Sequence, residues 1–188
     1  MKIDFRPVAF RRRPRLSLSL SQILSAFVLA LVVGTLPGLA TARIGRMPKD
    51  DIANQQLRTL DGANISLAGL RGQVVVLDFF TTWCGHSRLH VQTVKRLHNE
   101  DSNLRVVGLA VQETETSTRQ YIADQGIKYP VTTISDPTFG SFVESRDVSV
   151  PQTLIYGRDG RLAAHFMGHS PELVAELEKA VKRELAKP

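Results

Sequence analysis

The order of elements along this chain predicts an α/β domain with a mixed central sheet and helices on both faces. Two observations carry that reading. Val74 to Phe80 and Leu104 to Val111 are near-continuous apolar runs, the pattern of strands buried on both faces. Helical patterns alternate with the strands, and the last two strands form a hairpin before a final helix.

Taken in order, Gln56 to Leu60 followed by Asp61-Gly62 reads as a short strand and a turn. Ser66 to Gly72 reads as one helical turn and a stop. The Val74–Phe80 run is broken only by Asp78, which the sequence leaves open as either a partly buried acid or a strand-edge acid facing water. A helix follows Ser87, with Val91, Val94 and Leu97 on its apolar side and its end near Asn99. After the Leu104–Val111 strand, Thr116 to Gln125 reads as a helix stopped by Gly126. Val131 to Ile134 is a short β-branched strand, and Phe139 to Ser145 a short helix. Thr153 to Tyr156 and Arg161 to Met167 make a hairpin across Gly157 to Gly160. Ser170 caps the last helix, Pro171 takes its first position, and Leu173, Val174, Leu177, Val181 and Leu185 line its core face.

The N-terminus has a different character. Residues 2–15 carry Lys2, Arg6, Arg11, Arg12, Arg13 and Arg15 against Asp4, and an apolar segment runs from about Leu16 to Leu36. Pro37-Gly38 breaks it and Ala40-Thr41-Ala42 follows. This pattern predicts a secretory signal peptide over residues 1–42, with an uncleaved membrane anchor as the alternative. Residues 43–53 read as a polar linker, and the folded domain is expected over 54–188. Of 24 basic and 18 acidic residues, six and one lie within 1–42, which leaves 18 and 17 in the remainder. The high isoelectric point therefore belongs mostly to the leader, and no nucleic-acid footprint is expected.

The chain has one cysteine, Cys84, in the stretch Phe79-Phe80-Thr81-Thr82-Trp83-Cys84-Gly85-His86-Ser87, which also holds the one tryptophan. A single cysteine in an exported protein cannot close an internal disulfide, so it points to a reactive thiol or an intermolecular partner. Its place between a buried strand and a helix favours the thiolate. The helix terminus contributes at most about 2 kcal/mol, and one pKa unit is about 1.4 kcal/mol, so further donors are needed. His86 and the Ser87 hydroxyl are the local candidates. Cys84, His86 and His90 also raise a metal site, but three ligands without a second cysteine make a poor set, and neither metal nor cofactor is expected.

The motif resembles the thioredoxin-like superfamily, and within it the exported TlpA-like thiol–disulfide oxidoreductases, whose usual motif is Trp-Cys-x-x-Cys. Here Ser87 stands in the second cysteine's place, giving Cys-Gly-His-Ser. Leu67-x-x-Leu70-Arg71-Gly72 before a Val-rich strand is similar to the entry of TlpA-like and peroxiredoxin-like domains. The resemblance implies a thioredoxin-like three-layer fold from about Asn54 to Leu185. It implies a cis proline at Val150-Pro151 across from Cys84, with that backbone and Trp83 binding substrate. It also implies a proton-moving role for Glu113, which follows the second buried strand. Thr81-x-x-Cys84 is similar to the peroxiredoxin motif Pro-x-x-x-Thr-x-x-Cys, with Leu77 in the proline's place.

The function expected on these grounds is an exported oxidoreductase that acts through one nucleophilic cysteine. It forms mixed disulfides that an external thiol must resolve, because Ser87 cannot. Its partners would be protein thiols and disulfides or a small thiol such as glutathione, in the periplasm or another extracytoplasmic space. Membrane anchoring through the N-terminal segment is the variant of that placement. The alternatives are a non-catalytic thioredoxin-like binding module and a one-cysteine peroxidase.

Overall fold

A computed structural model describes residues 46–144 and 147–188. The leader read at 1–42 lies outside the described residues. Among the described residues no helix is long and apolar enough to cross a membrane. The segment read as a linker carries structure in its described part. The Leu162 N–H donates to the Arg46 carbonyl at 2.8 Å, and a short helix α1 (Asp50–Ala53) buries Ile52 and Ala53 against the domain. Two buried apolar side chains and that backbone hydrogen bond tie it to the domain.

A small hairpin of β1 (Leu57–Arg58) and β2 (Asn64–Ile65) follows, then a 3-10 turn at Ala68–Leu70. The central sheet contains β3 (Val74–Phe80), β4 (Leu104–Val111), β5 (Val131–Ile134), β6 (Gln152–Tyr156) and β7 (Leu162–Met167) in the order β5-β4-β3-β6-β7. β3 pairs in parallel with β4 and antiparallel with β6; β4 and β5 are parallel, and β6 and β7 form the terminal hairpin. All seven residues of β3 are buried, as its apolar run requires of a central strand covered on both sides.

Helices α2 (Gly85–Glu100), α3 (Glu115–Gln125) and α5 (Pro171–Leu185) cover one face, and α1 and α4 (Asp136–Val143) the other. The buried positions of α2 are Ser87, His90, Val91, Thr93, Val94 and Leu97, a stripe at helical spacing that mixes polar with apolar residues. α3 stops at Gly126, whose φ of 62° and ψ of 41° are left-handed, a conformation glycine adopts without a Cβ penalty. In α5, Ser170 caps the Leu173 N–H, and Leu177, Ala180 and Val181 are buried. α4 begins three residues earlier than the sequence reading places it. Pro137 falls in the first turn, where its missing N–H costs nothing, so it starts the helix instead of excluding it.

Candidate active site

Cys84 is the N-cap of α2, with extended backbone (φ −78°, ψ 122°) and no side-chain capping bond of its own. β3 delivers it: the strand ends at Phe80, four residues bridge to the helix, and Thr81 is buried. The Cys84 Sγ points at the carbonyl of Val150, 3.7 Å away. The Val150–Pro151 peptide bond is cis, and Pro151 precedes β6, so the loop before β6 and the helix start face each other at the thiol.

The thiol's acidity follows from its place. Partial burial pushes its pKa up, but the Ser87 N–H, the Ser87 hydroxyl and the His86 N–H all favour the thiolate, and the net result lies below the ordinary thiol value. Both backbone donors are first-turn groups with no helical partner. His86 thus acts on Cys84 through its backbone; its imidazole is exposed. Ser87 is fully buried, and its Oγ also accepts from the Thr81 N–H at 3.5 Å.

Glu113 reaches the same loop from the end of β4. Its Oε1 accepts from the Thr82 N–H at 2.7 Å and the Thr82 hydroxyl at 2.8 Å, and its Oε2 accepts from the Ser117 hydroxyl at 2.8 Å. These contacts fix the residue two before the nucleophile. On the opposite side Gln152, which sequence reasoning did not single out, pins the cis-proline loop. Its Nε2 donates to the carbonyls of Asp147 (3.0 Å) and Ser149 (2.8 Å), while its Oε1 lies 2.8 Å from His165 Nε2. A polar residue opening an apolar strand is the signal that could have found it.

The open question of Asp78 is resolved: the side chain has no solvent exposure. Burial pushes its carboxyl up to about 7, against the Tyr129 hydroxyl, which donates to Oδ2 at 3.4 Å and lowers it. Gly108, its register partner on β4, makes room for this contact, since a Cβ there would come within 3.0 Å of the Tyr129 ring and 2.9 Å of Val131. His90 Nε2 lies 3.7 Å from Asp78 Oδ1 and 2.7 Å from Thr153 Oγ1. Burial and the neighbouring His169 push His90 down to about 4. An acid shifted to about 7 beside a base shifted to about 4 is a neutral pair near pH 6, not a salt bridge. The metal alternative does not assemble: His86 is exposed while His90 faces Asp78 and Thr153, and the described residues hold no group of three or more His, Cys, Asp or Glu placed for a metal.

The AhpC/TSA family profile matches residues 48–165, well over half the chain. The chain belongs to the AhpC/TSA family. This family match covers β3, Cys84, Glu113 and Pro151 together. Among curated relatives, the thiol–disulfide oxidoreductase ResA of Bacillus thuringiensis is 22% identical over 127 residues, 66% of this chain and 70% of ResA. A thiol:disulfide interchange protein of the thioredoxin family from Chlorobium tepidum superposes with a TM-score of 0.64 at 25% identity, covering 78% of this chain and all of that one. A secreted disulfide oxidoreductase of Mycobacterium tuberculosis gives 0.59 at 18% identity, covering 71% and 98%. The AhpC/TSA chain described here has the thioredoxin-like fold.

Proposed function

We propose that this protein is a thiol–disulfide oxidoreductase that works through Cys84 alone. The observation that carries the reading is a thiol of lowered pKa at the N-terminus of α2, with Ser87 occupying the position from which a second thiol would attack. The Cys84 thiolate attacks one sulfur of a disulfide; a Cys84–sulfur bond forms, the disulfide breaks, and the second sulfur leaves as a thiolate that takes up a proton. Ser87 cannot attack the mixed disulfide. An external thiol must, which returns Cys84 as thiolate and carries away the substrate sulfur in a new disulfide. The names of the ResA and thiol:disulfide interchange relatives agree with this chemistry.

A protein partner suits the surroundings better than glutathione alone. The exposed large apolar side chains among the described residues are Trp83, Leu89, Val148 and Met167. Trp83 adjoins Cys84, Val148 precedes the Val150–Pro151 bond by two residues, and Met167 pairs with Gln152 beside it. Exposed apolar side chains gathered about a reactive group mark a contact surface. In this reading Trp83, Val150 and Pro151 bind substrate and His86 and Ser87 set the thiol. Glu113 fixes the loop, and residues 1–42 direct export or anchor the protein.

The test is turnover. With a small thiol added, the protein should reduce a protein disulfide; without one, it should stop at a mixed disulfide on Cys84 visible by mass spectrometry, and Cys84→Ser should form none. Full reduction without an added thiol would sink the single-thiol mechanism, and no adduct under any condition would sink the reading as a whole. Ser87→Cys adds a sharper arm, because residues three apart on a first helical turn can meet disulfide geometry. A variant that forms the disulfide yet stays at background turnover would point to a binding module.

A further inference from the structure

Three titratable side chains from three separate elements meet on the face of the sheet that α2 covers. Asp78 comes from β3, His90 from α2, and His169 from the turn before α5. His90 Nδ1 lies 3.4 Å from His169 Nδ1, and the two rings meet edge-on with centroids 5.6 Å apart. On its other side, His90 Nε2 faces Thr153 Oγ1 and Asp78 Oδ1. That Oδ1 is fully buried and has no hydrogen-bond partner, whereas His169 is half-exposed. A line of proton-carrying atoms therefore runs from a buried carboxyl to the surface.

Only one hydrogen fits between two Nδ1 atoms at this distance. If His90 carries it, His169 must present a lone pair, and the converse also holds. Burial keeps His90 neutral, so it has a single N–H. A protonated Asp78 offers an O–H and needs Nε2 as acceptor; an ionised Asp78 needs Nε2–H as donor. The Thr153 hydroxyl suits both states because it donates and accepts. The remaining gap of 3.7 Å exceeds a hydrogen bond by somewhat under 1 Å, within ordinary thermal displacement of about 0.9 Å.

We propose that Asp78, His90 and His169 form a proton path between the buried carboxyl and solvent, with His90 passing the proton by exchanging its tautomer. In one passage the Asp78 proton goes to His90 Nε2, the His90 Nδ1 proton goes to His169 Nδ1, and the His169 Nε2 proton goes to water or a buffer base. Asp78 is left as carboxylate, and both imidazoles end neutral in the other tautomer. The neighbouring groups leave this path in place. Tyr129 donates to the other Asp78 oxygen, and Tyr121 of α3 is pushed up to about 12 by burial and by Asp78, against Arg88, and stays protonated. Partial burial, and after it His86 on the first turn of α2, favour the neutral form of His169. The use of the path, to supply or remove the proton that thiol exchange moves, rests on the reading of Cys84 proposed above; its existence does not.

Imidazole nitrogen NMR of the full protein from about pH 5 to about pH 9 tests it. His90 should stay neutral and exchange its Nδ1–H and Nε2–H forms as the Asp78 carboxyl titrates, and Asp78→Asn should hold it in one form. A His90 fixed in one tautomer while Asp78 titrates overturns the path. In turnover assays His169→Ala should slow exchange about five-fold or more, and added imidazole should restore it. His169→Gln, which keeps a hydrogen bond but relays nothing, should stay slow. A structural role would give the opposite: rescue by glutamine and none by imidazole. Tautomer exchange without turnover would refute the thiol-exchange reading and leave the path standing; turnover without tautomer exchange would refute the path alone.

Discussion

The two faces of the central sheet are built from the same strands and behave differently. Along β3, Val75, Leu77 and Phe79 point to the face covered by α1 and α4, where apolar packing meets the buried amide of Gln152, the register partner of Phe79. Val74, Val76, Asp78 and Phe80 point to the face covered by α2, α3 and α5. There the apolar packing is interrupted by Asp78, His90, Thr153 and the Tyr129 hydroxyl. The first face holds Gln152 in hydrogen bonds to the backbone of the cis-proline loop and to His165. The other also holds a set of titratable groups next to the helix that begins at Cys84. The difference teaches that a site can be placed in a core by the alternation of one strand, because a period of two sends a single acid to a single face.

The sharpest test of the α1/α4 face is Phe79→Ala. Phe79 is fully buried and packs at a tilt against Phe139 and Phe142 at centroid distances of 5.0 and 5.7 Å. The substitution should cost about 3–5 kcal/mol in urea unfolding and by the same amount at acid and neutral pH. A pH-dependent loss would break the comparison.

The polar face should respond to pH instead. Asp78 is raised to about 7, so the folded state binds its proton more tightly than the unfolded chain; its contribution is present below about pH 4 and lost as pH rises through 7. His90 is lowered to about 4, so its contribution is present above about pH 6.5 and lost as pH falls through 4. Between those limits the two slopes oppose. Asp78→Asn should therefore expose a stability that rises with pH up to about 6.5, and gain on the wild type by on the order of 4 kcal/mol at about pH 8. His90→Gln should show the reverse slope, with stability falling toward pH 7. Denaturant midpoints measured across pH decide this; parallel curves for all three proteins would show that the pair does not titrate as described.

A smaller effect separates two roles for Glu113. As a clamp on Thr82 it should tolerate Glu113→Gln, which keeps an acceptor for Thr82 and can donate to Ser117, with exchange within about two-fold, whereas Glu113→Ala should slow it about ten-fold. If Gln and Ala are equally slow, the carboxylate moves a proton. The smallest expected effect is Ser87→Ala, which removes one donor to the thiolate and should raise the Cys84 pKa by about one unit. Thiolate absorbance against pH measures it, and an unchanged titration would assign the shift to the backbone N–H groups alone.

The strands were legible because β3 and β4 are apolar apart from Asp78 and Arg105, and the nucleophile was legible because the one cysteine follows such a strand and opens a helix. α1 and the early start of α4 were not, since both depend on a few side chains meeting the domain and not on a long period. The sequence by itself determined the layered architecture, the place of Cys84 and the want of a second thiol. These follow from local pattern and from residue identity. The fate of Asp78, the pairing of His90 with Thr153 and His169, the backbone role of His86 and the clamp of Glu113 on Thr82 were decided by tertiary structure alone. His90 and Thr153 lie 63 positions apart and His90 and His169 lie 79 apart, and no local periodicity encodes a contact at that separation. What sets it is the packing of α2 and α5 on one face of the sheet, where burial in a low dielectric turns ordinary side chains into groups with shifted acidity.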